Sequence, residues 1–186
     1  MNAGLTAGLT AGMNAGCLFT NGTHVIAGYQ PNKHLPSING IGGKPEEGEE
    51  PVVTALREFL EEMFGIYDCV KCVYSLRDVV PLQILEQKRY VTYIYTFNDL
   101  EKMLDIISGL GLLSPLYTEF PRNLNDLLFN RLAVKSEISH LCLLPLVQHG
   151  AHAFVEPYFV RDLTKIHQLL NTPSSSDRLD DTQDTS

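Results

Sequence analysis

"GGKPEEGEEPVVTALREFLEEMFGI", residues 42–66, places seven glutamates in and beside a segment patterned as one buried helix. At roughly 100° per residue, setting Glu58 at 0° puts Glu61 near −60° and Glu62 near +40°. Val52, Ala55, Leu56, Phe59, Leu60 and Met63 fall between roughly +60° and +200° on the same wheel, a stripe that faces a core. Three carboxylates therefore share one narrow face, expected to point away from that core. Like charges at these spacings destabilise a helix by a few tenths of a kcal/mol each, and no lysine is interspersed among them. Two readings stand: a solvated acidic face, or a face that holds a divalent cation, since hard cations take carboxylate oxygens and reverse the repulsion. Glu46, Glu47 and Glu50, before or at the helix start, fit the first reading as complements of the helix dipole.

The rest of the chain bounds the answer. A length of 186 residues with 44% hydrophobic and 19% charged residues predicts one globular domain with tails. The lead-in, "AGLTAGLTAG" within residues 1–14, is rich in glycine and too short for a solenoid, so it is expected to be flexible. Residues 172–186, almost without apolar side chains, predict a disordered acidic tail, leaving a domain over 15–171. No apolar run is long enough for a membrane span, and the N-terminus lacks the basic residues and compact apolar run of a secretory signal. The expectation is a cytoplasmic or nuclear protein without a membrane partner. Net charge is −8, which disfavours nonspecific nucleic-acid binding and requires metal ions or a local basic patch for any polyanionic substrate. Cys17, Cys69, Cys72 and Cys142 make no disulfide scaffold, and "CVKC" at 69–72 has no second ligand pair for zinc, so strand thiols are expected there.

Within 15–171, "CLFTNGTHVIAGY" predicts two strands around Asn21-Gly22, and "PSINGIGGK" a short strand or turn. "EPVVTALREFLEEMF" is helical. "VKCVYSLRDVVPLQILE" and "RYVTYIYTF" read as strands, "DLEKMLDIISGLGL" and "NLNDLLFNRL" as helices, "SEISHLCLLPLVQ" as a strand, and "EPYFVRDLTKIHQLLN" as a closing amphipathic helix. Strands with helices on each side predict an α/β sandwich with a mixed sheet.

The spacing around the acids goes further. Gly43, five residues, Glu49, seven residues, then Arg57-Glu58-Phe59-Leu60-Glu61-Glu62 resembles the Nudix box, G, five, E, seven, R-E-hydrophobic-x-E-E-x-G-hydrophobic. One departure concerns the helix exit: both Met63 and Phe64 precede Gly65 and Ile66, where the pattern has a single residue. The resemblance implies an α/β/α Nudix sandwich that hydrolyses the diphosphate linkage of a nucleoside diphosphate joined to another group, with Mg²⁺ or Mn²⁺ as cofactor. It implies Glu58, Glu61 and Glu62 as metal ligands or, for one of them, the base, with the Gly42 carbonyl as a further ligand and Glu137 as an additional ligand or base. Arg57, Glu49 and Gly43 would orient and support that constellation.

Rival phosphate sites fail: "GIGGKP" has neither the spacing nor the hydroxyl of a P-loop, and contains no G-x-G-x-x-G. Phe19, Tyr29, Tyr95 and Tyr117 are candidates for stacking on a base. The segments 89–107, 136–146 and 156–170 look somewhat like the Nudix subgroup that decaps RNA or cleaves purine nucleoside diphosphates. Capped RNA would need a basic track, for which Lys33, His34, Lys44, Lys88, Arg89, Arg122, Arg131 and Lys135 are the candidates. Three functions remain open: a nucleotide diphosphatase, an RNA-decapping enzyme, and a non-catalytic nucleotide-binding module. Oligomeric state is also open, a homodimer being one option.

Overall fold

The sheet is built around its first strand, β1 (Asn14–Thr20), in a computed structural model that describes residues 12–132, 135–147 and 154–172. Thr20 Oγ1 accepts from the Gly22 N–H and donates to the His24 carbonyl, closing a tight turn into β2 (His24–Gln30). The two strands are in register only at Thr20 and Val25; beyond that β1 leaves its neighbour. β4 (Ile41–Gly43) takes the vacated edge, pairing antiparallel with Ala15 to Cys17. On its other side β1 pairs in parallel along its whole length with β6 (Tyr90–Thr96), which continues antiparallel to β5 (Gln83–Gln87). β2 carries β3 (Ser37–Asn39) and β7 (His140–Pro145). One mixed sheet of seven strands results.

Alternation along the strands divides the interior in two. Cys17, Phe19, Ile26, Val91 and Tyr95 enter a larger core under α1 (Pro51–Phe64) and α3 (Phe97–Gly109). Leu18, Val25, Ala27 and Ile94 enter a smaller one, covered by Phe159, Leu163 and Ile166 of α5 (Pro157–Asn171). This is the expected sandwich, helices on both faces of a mixed sheet.

One predicted strand is a helix. Residues 70–76 form α2 (Val70–Leu76), and only the second half of "VKCVYSLRDVVPLQILE" becomes β5. The buried residues are Cys72, Val73 and Leu76, whereas Val70 and Tyr74 are 66% and 59% exposed. Positions i, i+1 and i+4 share a helix face, and strand alternation would have put 70, 72 and 74 together. The thiols expected on a strand therefore sit on this helix, and burial pushes Cys72 up to about 12, too high for a reactive thiolate at neutral pH. The 99–131 region holds α3 and the short α4 (Leu124–Phe129). The expected lead-in over 1–14 and tail over 172–186 lie largely outside the described residues, since residues 1–11 and 173–186 are not among them.

Candidate active site

The departure at the helix exit is accommodated locally. Gly65 takes the left-handed conformation at φ 65°, its N–H bonding the Glu61 carbonyl and the Ile66 N–H bonding that of Leu60. The first spans four residues, as in a simple left-handed glycine exit, and the second spans six, one more than in the usual two-bond exit. Met63 and Phe64 are both fully buried, and Phe64 packs its ring on Phe59 and Phe120. The additional residue is spent on the core, and the carboxylates upstream keep their spacing.

Arg57 is the hub of the acidic face. Its Nε donates to Glu49 Oε1 at 3.0 Å, and its Nη1 to Glu58 Oε1 at 3.0 Å and Glu61 Oε1 at 3.2 Å. Nη2 donates to the Lys44 carbonyl at 2.7 Å and to Glu49 Oε2 at 3.2 Å. One guanidinium thus holds three carboxylates and the loop before the helix, which a lysine could not do with its point charge. Glu49 also accepts from the Glu46 N–H and from Thr54 Oγ1. Burial works to raise the Glu49 carboxyl, but Arg57, the Glu46 amide and Thr54 together hold it below its usual value. For Glu58 burial wins over Arg57, with Glu61 and Glu137 adding to it, and its carboxyl is raised.

Glu62 departs from the expectation that all three acids point away from the core: it is only 6% exposed. The helical wheel explains why, because Glu62 at roughly +40° borders Ala55 at roughly +60°, the edge of the core stripe. Its Oε2 accepts from the Gly42 N–H at 2.7 Å and its Oε1 from Gln30 Nε2 at 3.5 Å. The same Gln30 nitrogen reaches Glu137 Oε1 at 3.4 Å, so a single amide joins Glu62 to an acid 75 residues away in sequence. Burial pushes Glu62 up to about 8, Glu137 and Glu58 adding to the rise while the Gly42 amide opposes it.

Two glycines make room. An added Cβ at Gly43 would overlap the Glu58 carboxylate, and one at Gly42, where φ is 150°, would strike Ala15 and Gly16 of β1 and the Tyr90 hydroxyl. Arg131 locks the end of α1 from below, donating Nη1 to the Met63 carbonyl at 2.6 Å and Nη2 to the Glu62 and Ile138 carbonyls at 2.8 Å.

Glu49, Arg57, Glu58, Glu61, Glu62, Gly42, Gly43 and Glu137 are thus brought to one place. Among the described residues no three acid, histidine or cysteine side chains converge on a single point as a closed metal centre, because Arg57 draws Glu58 and Glu61 to one side and Gly42 draws Glu62 to the other. The donor set nevertheless fits a hard divalent cation: carboxylate oxygens in excess beside Gln30 Oε1, which is buried without a hydrogen-bond partner.

Other candidates fare differently. Phe19, Tyr95 and Tyr117 are core residues, the first two stacked on each other and Tyr117 bonded through its hydroxyl to the Leu127 carbonyl, so none can stack on a base. Tyr29 is half-buried in mid-sheet. Of the proposed basic track, Arg131 is the structural lock just described. Lys88 and Arg89 join Arg161 and Lys165 around one cavity, while Lys33, His34, Lys44, Arg122 and Lys135 are exposed elsewhere. Sequence reasoning missed Gln30 and Thr54; the one signal was a polar residue closing each apolar run, which is common in strands and helices alike.

A search among curated proteins finds no match. Solved structures include a hydrolase of the NUDIX family from Clostridium perfringens, 12% identical, covering 87% of this chain and 99% of that one at a TM-score of 0.38. The profile of the NUDIX domain matches residues 10–107. That span holds the whole box and more than half of the chain, so this protein belongs to the Nudix family, enzymes that hydrolyse phosphoric anhydride bonds and as a rule use divalent metal ions.

Proposed function

We propose that the protein cleaves the diphosphate linkage of a nucleoside diphosphate joined to another group, with Mg²⁺ or Mn²⁺ bound by Glu58, Glu61 and Glu62. The Gly42 carbonyl and Glu137 are the further oxygen ligands in this reading. The observation that carries it is the inward turn of Glu62: a carboxylate held by the Gly42 N–H, made basic by burial, and linked through Gln30 to Glu137. When bound, the ions neutralise phosphate charge and lower the pKa of the attacking water. The water oxygen bonds to phosphorus as the bridging P–O bond breaks, and the water proton passes to a glutamate. If Glu62 takes that role instead of binding the ion, its position suits it, held by the Gly42 N–H and joined through Gln30 to Glu137. Arg57 and Glu49 keep Glu58 and Glu61 aligned, so that little reorganisation is needed during the reaction.

The test is turnover, with Mg²⁺ and with Mn²⁺, of nucleoside di- and triphosphates, dinucleotides, nucleotide sugars and capped RNA, with products resolved. Glu62→Gln is expected to lower kcat by about a hundredfold or more, the scale of removing one key electrostatic group, and a near-normal rate would remove Glu62 from the mechanism. Release of a capped nucleoside diphosphate from RNA would mark the decapping branch. Micromolar nucleotide binding without turnover would mark a binding module.

A further inference from the structure

A cavity of about 950 Å³ lies between α5 and the face of β1 and β6 that carries Leu18, Tyr90 and Thr92. Gly40, Ile41 and Gly42 border it, so it reaches the strand whose amide holds Glu62. The Tyr90 hydroxyl sits where a side chain at Gly16 or Gly42 would have to go. This is the upper end of the range for a site that takes a small organic ligand, roomy for one nucleoside alone.

Its mouth is cationic. Lys88 and Arg89 come from the turn between β5 and β6, and Arg161 and Lys165 stand one turn apart on α5, all four exposed. Arg161 lies over the Tyr158 ring at 4.3 Å, and Lys165 donates to Gln87 Oε1. None of the four forms an ion pair with a described carboxylate. Glu156 and Asp162 also line the cavity, and Asp162 is taken up by Gln87 Nε2 at 2.8 Å. Four cations against two acids stand out in a chain of net charge −8. Such a cluster raises the local concentration of anions and repels itself unless an anion is shared.

We infer that the group joined to the nucleoside diphosphate is itself anionic, and that Lys88, Arg89, Arg161 and Lys165 hold a further phosphate of it at the cavity mouth. This rests on the diphosphatase reading of the carboxylate site and specifies its substrate class. Guanidinium groups grip phosphate oxygens in pairs, while lysines act as point charges. The extra phosphate has two sources with one chemistry: a longer polyphosphate chain between two nucleosides, or the backbone that follows a cap on RNA.

The experiment compares kcat/KM of the full chain, with Mn²⁺, for a nucleotide sugar with an uncharged second group, a dinucleoside tetraphosphate and a capped RNA. At least one anionic substrate is expected to exceed the sugar by about tenfold, the effect of one charge-assisted hydrogen bond, and which one it is identifies the source. The pairs Arg161→Ala with Lys165→Ala, and Lys88→Ala with Arg89→Ala, are each expected to lower that ratio about tenfold through KM. Lys102→Ala, a charge removed from α3, leaves the ratio unchanged. Sugar cleaved as well as both anionic substrates, or a ratio that survives both pairs, overturns the inference while leaving the hydrolase reading intact. No diphosphate cleavage by the unaltered chain overturns both.

Discussion

Between its ordinary value of 4.5 and the raised value of about 8, the folded protein keeps a proton on Glu62 that the unfolded chain has released. Stability from this group is therefore highest at low pH, falls as pH rises through that window, and levels off above about 8. Glu62→Gln, which keeps an oxygen for the Gly42 amide, removes the penalty. With chelator present, the Tm of the variant is expected to match that of the parent at pH 5 and to exceed it at pH 8.5 by about 3 °C or more. An equal difference at both pH values would show that Glu62 does not titrate in between. The two glycines separate function from folding at the same scale. Gly43→Ala meets first the carboxylate end of the Glu58 side chain and not backbone, so calorimetry should show a Tm changed less than kcat. Gly42→Ala meets strand backbone at a φ of 150°, and its Tm should drop along with activity. Glu58, Glu61 and Glu62 were legible because acids at i, i+3 and i+4 are a property of one helix. Gln30 and Glu137 meet Glu62 only after three distant segments pack, and no local pattern announces that.

At the scale of elements, α1 is held at its far end by a residue from another segment. Its last turn contains no basic side chain, and Arg131 supplies the missing cation to the carbonyls of Glu62 and Met63. Arg131→Met is expected to cost about 1–3 kcal/mol in urea unfolding, since the buried carbonyls of Glu62 and Met63 lose this donor while that of Ile138 keeps Ser136 Oγ. It should also lower kcat, because the backbone of Glu62 is among the groups released. Unchanged urea midpoint would show that water replaces the guanidinium without loss. The stretch 70–80 reads as strand because Val70, Val73, Val79 and Val80 give it β-type composition, whereas burial within α2 follows a helical spacing that competes with that preference. α3 was legible as a helix, but it starts at Phe97, two residues before the expected Asp99, because Thr96 and Asp99 form a reciprocal cap there.

Over the whole molecule, the order of strands and helices was readable apart from α2, but the pairing was not. Nothing in "CLFTNGT" says that its strand leaves its hairpin partner after one residue pair and takes β4 and β6 as neighbours instead. The division into two cores follows from that pairing. Leu163, at the centre of the smaller core, is predicted to cost about 2–5 kcal/mol on replacement by alanine, read from the urea midpoint. A cost below about 1 kcal/mol would mean that α5 is a detachable cover and not a structural layer.

The central position of β1 also sets the order of events during synthesis. β1 is made well before its full-length parallel partner, residues 90–96. Until then its open edge is exposed to other nascent chains, and its closure waits on a contact distant along the polypeptide. Expression at lower temperature or alongside a holding chaperone should raise the soluble yield, because delay at that one seam leaves the newborn chain open to aggregation.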